Sequence, residues 1–420
     1  MRKIKVVWIC SFSSPEFRQK LELQQPSLLE RLAYKILRKQ MSFGKDSAIW
    51  NVNAIEEFEK FPEVELHVVC AIRNLKTNEQ TFDLRGVHYH CFREENSSLL
   101  YKVKRQLFTK NNELFFKNRQ NFARIISEVK PDIVHVIGAE NPYYSLAALD
   151  VPEGVVSIVQ LQALLARLVD ITDKPEEKVS FAYKGELEKQ IIRKVDYIGT
   201  TVKEFVDYIH TNVKPDAKIL DLSLAMGQKI DRSLVHKEYD FVYWSANINK
   251  AGEDAIESYI LAYKKNPTIT LDIIGGYSDE FKAMLMEKLK SAGADKSVRF
   301  EGLLPTHDDV IMQLRKSRVA LLPLKMDFVP NTLHEAMANG LPVVTTRTEG
   351  TPMLNEKRNT VLITEQGDFN AMACNMLKIL ENEKFFNEIQ ENGFATELEY
   401  DSNTTRMNKW LQAYKKIVKE

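Results

Sequence analysis

The chain has 420 residues, 44% of them hydrophobic and 28% charged, with 58 Lys plus Arg against 58 Asp plus Glu. That composition fits an ordinary globular chain of two or three domains and excludes a global basic field for nucleic acid. Cys10, Cys70, Cys91 and Cys374 are far apart, with no zinc spacing, and three lie in apolar runs. This predicts reduced, buried thiols in a cytoplasmic protein. No apolar run reaches about 18 residues, so no transmembrane helix is expected. The opening MRKIKVVWICSFSS has too short an apolar core for a signal peptide and reads as a first strand.

Residues 4–10 are that strand, and 11–15 the loop at its carboxyl end. A polar and basic insertion follows over about 16–47, with Arg31, Lys35, Arg38 and Lys39 beside several leucines. It reads as a structural arm in preference to an acceptor-binding one. A helix over 48–61, a strand over 65–71 and a hairpin-like piece ending in a strand over 87–92 come next. Residues 99–126 carry Lys102, Lys104, Arg105, Lys110, Lys117, Arg119 and Arg124 against Glu113 alone, interleaved with Leu and Phe. Such a basic amphipathic helix is either a solvated outer helix, the favoured reading, or a peripheral rest on an anionic membrane face. Pro131 and Asp132 precede an apolar strand, and residues 138–142 form the loop at its carboxyl end. A strand over 156–161, a helix over 186–195 and a strand over 196–201 close the first half. Residues 223–238 have few apolar periods, which places the interdomain linker there.

The second half opens on a strand over 241–245 and a polar loop over 246–252. A helix over 253–264, a strand over 270–276, a strand and loop over 298–305 and a helix over 307–316 follow. Then comes the most informative stretch. A buried strand over 319–323 leads to the loop at Asp327, an N-cap at Asn331, a helix over 332–339 stopped by Gly340, and a strand over 341–346. Asp327 lies where open α/β sheets place ligands, and Glu335 lies one turn inside the helix. Between the two acids the first turn offers free N–H groups and the positive end of the dipole, a site for a diphosphate. A nucleotide sugar has a matching layout of sugar, diphosphate and ribose. The bland alternative, two solvated surface acids, stays open on spacing alone. Helices over 368–381, 383–393 and 404–419 end the chain.

The run DFVPNTLHEAMANGLPVVTT resembles the E-x7-E signature of retaining GT-B glycosyltransferases of the glycosyl-transferase-1, family 4-like type, with Asp in the first acid's place. The resemblance implies that Asp327, Phe328 and Val329 meet sugar hydroxyls, that Asn331 and Thr332 lie by the diphosphate, and that Glu335 binds the ribose, with Pro330 closing the loop of the same donor-binding stretch. The loop before residue 253 is similar to the family's GRxxxxKG. It gives Lys250 the role of neutralising the leaving diphosphate, while the family's Arg falls on Ser245. Residues 130–140 resemble its PDxxHxH segment, in which the second His is replaced by Ile137. His135 reads as a packed strand residue, and Glu140 with Asn141 as acceptor-side contacts. Gly138-Ala-Glu140, Lys184-Gly-Glu186 and Gly199-Thr-Thr201 are similar to motifs of a capsule and exopolysaccharide subgroup, with Thr200 where that subgroup has Arg.

The resemblance implies a GT-B, α/β fold: two doubly wound Rossmann-like domains facing across a cleft. The expected bounds are 1–225 for the acceptor-side domain, 226–238 for the linker and 239–400 for the nucleotide-sugar domain. Residues 401–420 are expected as a helix crossing back to the first domain. The implied activity is metal-independent transfer of a hexose, with retention, from a nucleotide diphosphate sugar to a glycan or lipid-linked glycan hydroxyl in polysaccharide biosynthesis. Neither a cofactor nor a His/Asp metal cluster is expected, and 99–126 is the candidate for peripheral contact with the inner membrane face. The alternative is a degenerate, non-catalytic relative that binds glycan or supports a partner, suggested by Ser245, Ile137 and Thr200.

Overall fold

Short apolar runs that bury both faces become the inner strands of two sheets. The computed structural model describes residues 2–25, 44–95, 115–172, 175–226, 230–247, 251–325, 331–348, 350–400 and 402–419. The chain divides into two compact units. The first comprises Met1–Gln25, Ser47–Met226 and Ser402–Glu420, and the second Pro26–Asp46 and Gly227–Asp401.

The first unit holds β1 (Ile4–Ile9), β2 (Val64–Ile72), β3 (Glu79–Leu84), β4 (Val87–Arg93), β5 (Ile133–Ile137), β6 (Val156–Gln160), β7 (Tyr197–Gly199) and β8 (Lys218–Leu220). They form one sheet in the order β3-β4-β2-β1-β5-β6-β7-β8. The described pairings are parallel except for the β3–β4 hairpin. Its turn uses Arg85 and Gly86, both at positive φ, which suits a two-residue hairpin loop. The helices are α1 (Pro15–Lys20), α2 (Ile49–Phe58), α3 (Phe116–Val129), α4 (Pro142–Ser145), α5 (Leu165–Ile171), α6 (Pro175–Lys194) and α7 (Lys203–Asn212), with the chain's last helix returning to this unit. Ser14 caps α1, so a helix starts at the end of the expected loop and runs into the expected polar insertion. Residues 26–43 of that insertion lie outside the described residues, as do 99–114 of the basic run. The part of that run that is described is α3. It turns Phe122, Ile125, Ile126 and Val129 into the core, and two of its three basic residues are ion-paired, Arg119 with Asp150 and Arg124 with Glu79 and Glu128.

In the second unit β9 (Tyr239–Asn247), β10 (Leu271–Gly276), β11 (Val298–Gly302), β12 (Ser317–Leu322), β13 (Val343–Thr346) and β14 (Val361–Thr364) make a parallel sheet in the order β11-β10-β9-β12-β13-β14. Both sheets are therefore doubly wound, as the alternation of apolar runs and helices predicts. This unit's helices are α8 (Gly252–Lys265), α9 (Asp279–Ser291), α10 (His307–Leu314), α11 (Asn331–Ala338), α12 (Phe369–Glu381) and α13 (Glu383–Glu399). α10 starts on a full capping box between Thr306 and Asp309. Asn331 is the first residue of α11, one position inside the helix, where the sequence alone suggests its cap. Gly340, at φ 71°, ends α11, and a Cβ there would come 2.7 Å from Phe394. That combination requires glycine.

The final helix, α14 (Asn403–Ile417), is capped by Ser402 and lays Met407, Trp410, Leu411, Tyr414 and Ile417 into the first unit's core beside Trp8 and Phe58. The four cysteines are free thiols, three of them buried. Among the described residues no helix is long and apolar enough to cross a membrane.

Candidate functional site

In the second unit the carboxyl ends of the strands converge on Glu335. α11 follows β12 and places this residue one turn in, 6% exposed. A carboxylate so buried needs donors. Trp244 Nε1, near the end of β9, donates to Glu335 Oε2 at 2.8 Å. His307 Nε2, in the first turn of α10, lies 3.8 Å from Oε1, beyond hydrogen-bond reach. Among the described residues Oε1 therefore keeps its accepting capacity, held in place by the indole on the other oxygen. Asn339 Nδ2 donates to the Glu335 carbonyl and steadies the same turn. Such a fixed, dry carboxylate can take one or two hydroxyls of a ligand.

Sequence reasoning singles out Glu335 but not Trp244 or His307. The available signal is that a buried indole N–H needs an acceptor, and that Trp244 precedes Ser245 at the strand end where the loop begins. Asn331 and Thr332 stand half-buried at the start of α11. Lys250, Asp327, Phe328, Val329 and Pro330 lie outside the described residues. Beyond the latter stretch, Lys325 pairs with Asp254 in the first turn of α8 at 3.0 Å. After β13, Thr346, Thr348 and Thr351 lock the turn: Thr351 Oγ1 donates to the Thr346 carbonyl at 3.1 Å and accepts from Thr348 N at 2.9 Å.

In the first unit the loop after β5 carries Gly138, Glu140 and Asn141. Gly138 has φ 100°, and a Cβ there would come 2.6 Å from Tyr144 Oη and 2.7 Å from Glu140 Oε1. Only glycine lets the loop curl the acid back on itself. Glu140 Oε1 accepts from Asn141 Nδ2 at 3.0 Å and from Tyr144 Oη at 3.5 Å, while its buried Oε2 has no partner among the described residues. Burial raises the Glu140 pKa, with Tyr144, Asn141 and the charge of Lys184 opposing. Glu140 and Asn141 therefore form one hydrogen-bonded pair at the strand end.

A second acid, missed from the sequence, lies nearby. Glu188 of α6 caps α5, accepting from Leu165 N at 3.2 Å and Ala166 N at 3.0 Å. Burial pushes its pKa up to about 7, and the Glu140 charge adds to the rise. The Lys184-Gly-Glu186 motif divides its work. A Cβ on Gly185 would sit 2.6 Å from Ala166 Cα, so this glycine sets how closely α5 and α6 approach. Glu186 faces solvent beside Lys189 and Arg193.

The remaining motif positions are structural. His135 is fully buried, with Nδ1 2.6 Å from Tyr414 Oη and its ring against Trp410. Burial lowers its pKa to about 3, so it is neutral and packed. Ile137 is fully buried in the core. Thr200 Oγ1 accepts from Val202 N at 3.2 Å, a local turn bond.

Residues 241–382 match the family Glycosyl transferases group 1. That segment spans β9 through α12 and contains Trp244, His307 and Glu335. The chain is also similar to the amylovoran biosynthesis glycosyltransferase AmsK of Erwinia amylovora, at 29% identity over 135 residues. The match spans about a third of each protein, 31% of this chain and 32% of AmsK. Among solved structures, a sucrose-phosphate synthase of Thermosynechococcus elongatus superposes with a TM-score of 0.68 at 13% identity, covering 99% of both chains. An α,α-trehalose 6-phosphate synthase of Burkholderia multivorans gives 0.65 at 10% identity, covering 100% of this chain and 99% of its own. A glycosyltransferase of Rickettsia africae gives 0.61 at 13% identity with both chains fully covered. At these identities the likeness establishes the fold, which is GT-B.

Proposed function

We propose that the chain is a retaining hexosyltransferase of polysaccharide biosynthesis that works in the cytoplasm. It moves a hexose from a nucleotide diphosphate sugar to a hydroxyl of a glycan or lipid-linked glycan. The observation that carries this reading is Glu335. In the segment that matches the glycosyltransferase family, an acid at the carboxyl ends of the strands is held by an indole on one oxygen and keeps the other for a ligand. The similarity to an amylovoran glycosyltransferase supports the polysaccharide setting.

In this reading Glu335 Oε1 accepts from the ribose hydroxyls, and the first turn of α11 at Asn331 and Thr332 donates N–H groups to the diphosphate. Asp327, with Phe328 and Val329, meets the sugar hydroxyls, and Pro330 closes the same donor-binding loop. Lys250 neutralises the charge that grows on the diphosphate as the bond breaks. The anomeric C–O bond to phosphate breaks, and a new C–O bond forms to the acceptor oxygen on the same face. The acceptor proton passes to the leaving phosphate oxygen, so the step asks for neither a protein base nor a metal. Glu140 and Asn141 of the first unit contact the acceptor. The neutral, buried His135 and the apolar Ile137 fit a mechanism without an imidazole base.

Replacing Glu335 tests the assignment. Glu335→Ala should weaken nucleoside diphosphate binding by about 1–3 kcal/mol, the cost of unpaired hydrogen-bond partners. Calorimetric titration with UDP, GDP and ADP reads this directly. Unchanged affinity in a variant with wild-type circular dichroism would remove Glu335 from the site.

A further inference from the structure

The sequence shows no metal spacing, yet strand pairing gathers three histidines and two acids at one corner of the first unit's sheet. β2 pairs with β4 in parallel, His67 opposite His88, and β3 sets Asp83 opposite His88. On β2, Leu66 and Val68 enter the core under α14, so Glu65 and His67 point to the other face, the face on which Val69 and Ala71 meet α3. One ligand atom from each of Glu65, His67 and His88 lies within 4.8 Å of the others.

The remaining ring nitrogens are already held. His67 Nδ1 lies 2.9 Å from His90 Nε2, and His88 Nδ1 lies 2.6 Å from Asp83 Oδ1. With Nδ1–H donating in both rings, each histidine keeps an Nε2 lone pair. Outer partners of this kind, a carboxylate among them, orient imidazoles that ligate zinc. His67 Nε2 already faces Glu65 Oε1 at 3.1 Å. Ligands about 2.0–2.1 Å from a tetrahedral zinc lie about 3.3 Å from each other, so the ion fits that contact with little movement. The histidine rings stack with centroids 4.7 Å apart, and the His88 side chain is 38% exposed, which leaves an entry path. Lys5 Nζ, 3.1 Å from Glu65 Oε1, is the one cation in contact with the set among the described residues, and its side chain is partly exposed.

We propose that Glu65, His67 and His88 bind one Zn2+ ion, with Asp83 and His90 orienting the two imidazoles and water completing the coordination. Two imidazoles and a carboxylate suit zinc, and the hard cations that prefer all-oxygen sets fit less well. The site lies at the amino ends of β2 and β4, whereas Glu140 lies at a carboxyl end. The ion therefore staples the outer hairpin to the inner sheet, independently of the transferase reading.

The full chain, stripped with chelator and titrated with ZnCl2 in a calorimeter, should bind one equivalent and unfold at a higher temperature when loaded. His88→Ala should abolish that event, and Asp83→Asn, a surface change, should weaken it about 10- to 100-fold. Should His88→Ala fail to fold, Asp83→Asn carries the test. No saturable binding by the wild type, or the same affinity in Asp83→Asn and in folded His88→Ala as in the wild type, overturns the site.

Discussion

Trp410→Ala should cost the first unit about 3–5 kcal/mol, the usual range for emptying a buried tryptophan site. Trp410 is 1% exposed and packs edge-on to Trp8, with centroids 5.4 Å apart, and against His135 at 4.6 Å. Its Nε1 donates to the Ser223 carbonyl at 2.9 Å, so truncation also leaves that oxygen unpaired. One turn on, Tyr414 Oη accepts from Trp8 Nε1 at 3.0 Å and donates to His135 Nδ1. The last helix is thus part of the core of the unit in which the chain begins. Hydrogen exchange of the β1 and β5 amides isolates that unit from the rest of the chain. A fall of several kcal/mol in their opening free energy is expected. A fall below about 1 kcal/mol would mean that α14 is an attachment and carries no core.

The second large effect is in the pH dependence. Glu188 is an acid whose folded pKa, about 7, lies above its ordinary value of 4.5. The folded state therefore binds the proton more tightly than the unfolded one. Stability from this group is fully present below about pH 4.5 and is lost as pH rises through 7, a change of about 3 kcal/mol. Gln keeps the shape of the protonated acid and one accepting oxygen, but its amide nitrogen cannot accept, so one of the Leu165 and Ala166 N–H bonds is lost. Relative to the wild type, Glu188→Gln should therefore gain about 3 kcal/mol of stability between pH 4.5 and pH 8, read from the exchange of β6 and β7 amides. A constant gap across that window would show that Glu188 does not hold its proton on folding.

The parts of the structure that sequence reveals are those written in contiguous chemistry. β5 is five apolar or packed residues bounded by Pro131-Asp132 and Gly138, and β12 and β13 frame α11 just as clearly. Helices α5 and α7 go unseen because neither Leu164 nor Val202, the residues at their N-caps, supplies a capping side chain. α6 begins eleven residues before the helix expected at 186, since its amino half has a weak apolar stripe. The candidate site is legible where one helix carries it, as with Glu335. It is hidden where distant segments meet. Trp244 and Glu335 are 91 residues apart, and the Glu188 bonds to α5 join helices 22 and 23 residues apart. The histidine cluster depends on parallel pairing, which no local pattern records.

The proposed function requires the second unit to present an activated sugar for transfer. Release of free nucleotide from UDP-, GDP- and ADP-hexoses, measured with and without glycan acceptors, tests it most directly. The proposed function predicts release with one donor, accelerated by acceptor, and a product of retained anomeric configuration. Nucleotide binding without release from any donor would contradict it and make the chain a non-catalytic glycan-binding or partner subunit.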